Sequence, residues 1–202
     1  MKTVATLASL LVAAGAAFGQ TFSNAAPIGI PSSGPSPLYP STISVAGLGG
    51  TIVDMTVTLH GVNHTWPDDV DILLVGPGGQ NVMLMSDAGS SFDLIDLTLA
   101  FNQGAADFLP DNAQILGGTY LPSNYVAGDV MPAPAPVGPH GDSLAAFFGT
   151  SGNGDWSLFV ADDTGSDTGE ITGGWSIEFV VPAPSTAALL GFGGVMALRR
   201  RR

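Results

Sequence analysis

The sequence predicts an all-β protein, an antiparallel jelly-roll β-sandwich, and three observations predict it. Apolar and polar residues alternate with period two in several separate runs through the middle of the chain. The chain carries 28 Gly and 15 Pro, which punctuate those runs as turns. No stretch between the two ends sustains a helical period. A length of 202 residues allows one domain with a sizeable core and leaves little room for a second.

The elements follow in order. Lys2 precedes an apolar run, Val4 to Phe18, and Ala17-Phe18-Gly19 places small residues ahead of Gln20. This pattern reads as a secretory signal peptide over residues 1–19. Residues 20–41 are rich in Pro, Ser and Ala and read as a linker or a drape over the domain. The sandwich is expected over residues 42–181. In Ile52 to His60, Val53, Met55, Val57 and Leu59 share one face, and Asp54, Thr56, Thr58 and His60 share the other. Val70, Ile72 and Leu74 alternate with Asp71, Leu73 and Val75. Gly76-Pro77-Gly78-Gly79 then turns the chain into Asn81 to Ser86, which predicts a hairpin. Ile95, Leu97, Leu99 and Phe101 form a further inward set, followed by Trp156, Leu158 and Val160, and by Trp175, Ile177, Phe179 and Val181. Leu144 to Phe148 reads as a short strand. Gln103 to Gly141 is a long loop with a Pro-Ala repeat at Met131 to Pro136.

The chain closes on Pro182-Ala183-Pro184-Ser185-Thr186, an apolar run from Ala187 to Leu198, and Arg199 to Arg202. The run is well short of the roughly 20 residues that span a bilayer. It suits a transient stop-transfer helix, with the Arg cluster held on the cytoplasmic side. The three-part tail over residues 182–202 resembles the PEP-CTERM sorting signal, with Ala183 where that signal has Glu. The resemblance implies processing by an exosortase-type enzyme and delivery to the cell surface or extracellular matrix, with membrane contact only through this segment.

Charge placement excludes several functions. The basic residues are Lys2 and Arg199 to Arg202, while all 17 carboxylates lie between Asp54 and Glu178, for a net charge of −12. Such a surface repels nucleic acid and anionic lipid. No Asp–Arg or Glu–Lys bridge can form within it, so clustered carboxylates must be solvated, protonated, bonded to backbone N–H, or bound to a cation. With no Cys there is neither a disulfide, nor a Cys-ligated zinc, nor a thiol nucleophile.

Two acidic clusters stand out. Asp68, Asp69 and Asp71 open a strand after Pro67, with Asp69 and Asp71 expected on one side. Asp162, Asp163 and Asp167 occupy a turn before Gly169. Calcium takes six to eight oxygens from carboxylates and carbonyls on irregular loops, and Asp69, Asp71, Asp162, Asp163 and Asp167 are the candidate ligands. Neither cluster has EF-hand spacing. Solvated turn aspartates bonded to their own backbone give the same pattern.

Other motifs carry less. Gly141-Asp142-Ser143-Leu144 spells a lipase and esterase motif, but no His follows His140 to activate Ser143. His60, His64 and His140 are the only imidazoles and could in principle share a zinc ion. Asn63-His64-Thr65 is a glycosylation sequon. Trp66 is placed to stack on a sugar or a partner from the first acidic loop, whereas Trp156 and Trp175 belong to the core.

Three segments together resemble the P domain of proprotein convertases. They are His64-Thr65-Trp66-Pro67-Asp68-Asp69-Val70-Asp71-Ile72-Leu73-Leu74-Val75-Gly76-Pro77-Gly78-Gly79, Gly152-Asn153-Gly154-Asp155-Trp156-Ser157-Leu158-Phe159-Val160-Ala161-Asp162, and Asp167-Thr168-Gly169-Glu170-Ile171-Thr172-Gly173-Gly174-Trp175-Ser176-Ile177. The resemblance implies a jelly-roll module that often binds calcium and sits beside a subtilisin-like catalytic domain, with Asp69, Asp162 and Asp167 at matching positions. This chain carries no such catalytic domain. The expectation is therefore an exported, non-enzymatic surface or matrix protein, with a calcium-stabilised sandwich that binds matrix polysaccharide or other acidic surfaces. The alternative is an accessory module that docks on a secreted protease.

Overall fold

A computed structural model describes residues 17–126 and 128–182. Most of the expected signal peptide and the whole apolar sorting helix lie outside the described residues. The rest forms the expected sandwich of two sheets.

The first sheet is built on β5 (Asp54–His64). On one side β5 pairs antiparallel with β13 (Trp175–Pro182) and then with β12 (Gly169–Ile171). On the other side it pairs with β8 (Leu94–Asn102). The change of partner falls at Gly61, whose φ is +70°. A Cβ there would meet Thr172 Oγ1 at 2.1 Å, so only glycine fits. Met55, Val57 and Leu59 point inward as expected. Val53 does not: it lies ahead of the strand and is exposed, and Ile52 is buried in its place.

The second sheet is built on β11 (Gly154–Asp162) and β6 (Val70–Val75), paired antiparallel. The predicted hairpin forms, with β7 (Asn81–Ser86) pairing back on β6 through a turn closed by Gly76 N–H to Gln80 O at 2.9 Å. Trp156 of β11 packs on Phe179 of β13 across the interior, with ring centroids 5.1 Å apart. The Trp175 indole N–H donates to the buried Ser41 hydroxyl at 2.9 Å and ties the sheets together. Both tryptophans are core residues, as expected.

Residues 20–41 are not a linker. β1 (Ala17–Asn24) pairs along its full length with β13, β2 (Ile28–Ile30) pairs with β12, and β3 (Gly34–Pro35) pairs with β11. β4 (Ser41–Val45) continues that edge on β11. The Pro and Ser content misled because each piece is short and lies at a sheet edge, where proline is tolerated. Ile28 and Ile30 nonetheless reach the core, and Phe22 packs edge-on against Phe179.

The 103–141 segment is ordered by the sheets it borders. It supplies β9 (Gly118–Tyr120), parallel to β8, and β10 (Ser123–Asn124), parallel to β7. These two edges depart from a purely antiparallel pattern. Its Pro-Ala stretch covers the outer face of the second sheet. Met131 and Ala135 pack on Leu73, Met83, Phe159 and Ala161. Tyr39 locks the cover by donating its hydroxyl to Pro132 O at 2.8 Å. This explains why Leu73 is buried although it alternates with core residues.

Two further expectations fail locally. Ile95 is exposed, because Asp96 sits at φ +49° in a bulge where the β5–β8 register shifts, so the inward set runs Leu94, Leu97, Leu99, Phe101. Leu144–Phe147 forms a 3-10 turn rather than a strand. Ser143 caps it by accepting the Ala145 N–H at 3.3 Å.

Candidate functional site

The residues that carry chemistry collect at one end of the sandwich, where β6 starts and β11 and β7 finish. Pro67–Asp69 forms a 3-10 turn that delivers the chain into β6. Asp163 donates its backbone N–H to Asp69 O at 3.0 Å and so fastens the two predicted acidic segments together. In the ladder Val70 stands opposite Asp162, and Asp71 opposite Ala161.

The predicted set divides into two groups that share a field. Asp69 faces Asp162, Asp163, Asp167 and Asp68, and burial together with these neighbours pushes its carboxyl up to about 6. Asp71 is only 7% exposed. Burial raises its carboxyl to about 7; the nearby Ser86 hydroxyl opposes the rise, and Asp129, Asp163 and Asp87 add repulsion. Asp69 and Asp71 therefore do not act on one side together. The 3-10 turn at Asp69 breaks the strand alternation that the expectation assumed.

Asp162 is 1% exposed and holds the end of the sandwich closed. Its Oδ2 lies 3.2 Å from Nε2 of buried His64, which comes from the opposite sheet. His64 Nδ1 accepts the Trp66 N–H at 3.1 Å, which places the ring proton of the neutral imidazole on Nε2, although the alignment with Asp162 Oδ2 falls short of a hydrogen bond and leaves both buried atoms without a hydrogen-bond partner. Asp162 Oδ1 accepts the Thr164 N–H at 3.1 Å. Burial raises the Asp162 carboxyl, while His64 and Thr164 oppose the rise and Asp163 and Asp167 add to it. Asp167 accepts the Thr65 hydroxyl at 2.8 Å.

Three participants were not legible in the sequence. The buried Ser86 hydroxyl stands 2.8 Å from Asp87 Oδ2 and 2.9 Å from Asp129 Oδ2. One hydroxyl proton serves one of these contacts, so a protonated carboxyl or a cation must relieve the other. Burial raises the Asp87 carboxyl, with Asp129, Asp68 and Asp163 contributing. The Ser-Asp-Ala-Gly turn at Ser86 was a weak signal, and Asp129 carried none because it arrives from the long segment beside β10.

This donor set is all oxygen, strongly coupled and free of any fixed cation. Among the described residues, however, no three His, Asp or Glu side chains already stand as a metal shell. A calcium ion here would need the exposed Asp163 and the half-buried Asp167 side chains to turn toward it and backbone carbonyls to join them.

The other motifs have structural occupations. His60 Nε2 contacts Ser176 Oγ at 2.9 Å, and His140 Nδ1 contacts Asn81 Oδ1 at 2.8 Å, so the three imidazoles hold separate partners rather than one zinc ion. Ser143 donates its hydroxyl to Gln103 Oε1 at 2.9 Å while capping its 3-10 turn. Trp66 is exposed beside the acidic end, as expected.

No known family and no curated protein matches the chain. Among solved structures it is similar to the Aeromonas sobria serine protease in complex with its chaperone, at 16% identity and a TM-score of 0.41 over 84% of this chain. The same organism's serine protease alone matches at 18% identity and a TM-score of 0.39 over 82% of this chain. The chain spans 27% of the length of each of those proteins.

Proposed function

We propose that the protein is an exported, non-catalytic binding module whose acidic end takes up calcium, and that the ion bridges it to matrix polysaccharide or another acidic surface. The observation that carries this reading is the coupled network of Asp69, Asp71, Asp162, Asp163 and Asp167, joined by Asp87 and Asp129, in a region with no Lys or Arg. Such a network is costly with every carboxylate ionised, and a hard divalent cation relieves it. Exposed Trp66 beside it offers a face for sugar stacking. The signal-peptide pattern and the PEP-CTERM-like tail support export and handling by an exosortase-type enzyme.

Thermal unfolding of the full chain in calcium against EDTA tests this. An ion bound only by the native state adds RT ln(1 + [L]/Kd), about 2.7 kcal/mol at a hundredfold excess over Kd. A shift of several degrees is expected, lost in Asp69→Asn and Asp162→Asn. No shift at millimolar calcium overturns the reading.

A second reading is an accessory module that docks on a secreted protease. It is supported by the P-domain-like motifs and by the exposed apolar surface of the 103–141 segment. Co-purification with a secreted protease from culture medium tests it.

A further inference from the structure

A second surface lies along the β7–β10 edge and adjoins the proposed calcium end at Asp129. Asn124 and two stretches of the long segment, 128–131 and 137–140, border a cavity of about 320 Å³. Its walls include Asn124, Asp129, Val130, Val137, Pro139 and His140. Asn124 also lines a second cavity of about 150 Å³, with Phe108, Pro122, Tyr125 and Asp142. The two hollows thus lie on either side of Asn124.

The apolar groups here are unusually open. Val130 is 85% exposed and Val137 92%, and Phe108 and Tyr125 are exposed beside them. A folded chain gains nothing from presenting them to water, and contiguous exposed apolar surface of this kind marks binding sites.

The polar groups point to the ligand's chemistry. Buried Asn124 Oδ1 and His140 Nε2 have no hydrogen-bond partner. Asn81 Oδ1 stands beside His140 Nδ1 and accepts its proton, so Nε2 is a bare acceptor. Asp129 and Asp142 add negative charge. Every one of these groups accepts, and no Lys or Arg exists between Lys2 and Arg199 to supply donors.

We propose that this double hollow docks a segment of a partner protein that carries an arginine among apolar side chains. The guanidinium offers several donors in one plane to Asn124, His140 and Asp129, and stacks on aromatic faces as an ammonium does not. The neighbouring apolar side chains cover Val130, Val137 and Phe108. The calcium reading can fail while this one stands, because Asn124, Val130, Val137 and His140 belong to this site alone and only Asp129 is shared.

Panning a random heptapeptide library on the immobilised full chain in EDTA tests the proposal. Peptides with Arg flanked by apolar residues are expected to dominate. A synthesised winner should lose at least tenfold in affinity when its Arg is replaced by citrulline, which keeps the shape and loses the charge. The exposed sites Val130→Lys and Val137→Lys should lower affinity at least tenfold without touching the core. Val53→Lys, which adds the same charge elsewhere, should change it less than twofold. No enrichment, enrichment without Arg, or equal loss in Val53→Lys overturns the proposal.

Discussion

In EDTA the protein should become less stable as pH rises from 4 to 8, the reverse of an ordinary acid denaturation curve. Asp71 is the main cause. Its carboxyl is pushed from 3.8 to about 7 by burial, with Asp129, Asp163 and Asp87 adding to the rise. Between those two values the native state holds a proton that the unfolded chain has released. Stability is therefore full below about 4, is lost progressively as pH rises through about 7, and levels off above it. At about 1.4 kcal/mol per pKa unit, a shift of about three units is worth on the order of 4 kcal/mol. Asp69, raised to about 6, acts in the same direction, with a smaller effect because solvent screens it. At about 2–4 °C per kcal/mol the melting temperature should fall on the order of ten degrees across this range. Differential scanning calorimetry of the full chain at constant ionic strength reads it directly. Asp71→Asn should flatten the profile and be the more stable protein at pH 8. A wild-type profile that is flat or rising, or an Asp71→Asn variant less stable than wild type at pH 8, refutes the account of the acidic end.

Three other outcomes check the fold. Gly169→Ala would put a Cβ 2.1 Å from Asn63 O and 2.4 Å from His64 Cδ2, so urea denaturation should show a loss of about 1–3 kcal/mol or more; Gly29→Ala on neighbouring β2 meets nothing within 4 Å and should lie within about 1 kcal/mol of wild type. Trp175→Phe removes the donor to buried Ser41 and should cost about 1–3 kcal/mol by the same assay. Starting the chain at Ala25 deletes β1 and the Phe22–Phe179 contact and should lower the melting temperature, whereas starting at Gln20 keeps the Gln20–Asn24 pairing and should change it far less.

The central strands were readable because period-two alternation reports burial on a single face. Met55, Val57 and Leu59, the Trp156 set and the Trp175 set all obey it. The rule failed at Ile95, where a bulge adds a residue, and at residues 20–41, where the paired pieces are too short to alternate visibly. At the candidate site, Asp162, Asp163 and Asp167 were legible as one cluster and Asp69 and Asp71 as part of another, but that Asp69 would stand against the second cluster was not, because β6 and β11 become neighbours only in the fold. His64 and Asp129 escaped notice as members of that site because their partners lie 98 and 43 positions away, at Asp162 and Ser86.

By itself, then, the amino-acid order determined the sandwich class, the β6–β7 hairpin, the inward tryptophans and the excess of negative charge without an internal counter-ion, since each depends on residues close together or on composition alone. Tertiary structure alone decided that the Pro-Ala stretch would seal the outer face of the second sheet. It also decided that His64 would meet Asp162 across the sheets, that Ser86 would gather Asp87 and Asp129, and that Val130 and Val137 would border an open hollow. Those contacts depend on which distant strands become neighbours, and that choice is made by burying the core as a whole, not by any local run of residues.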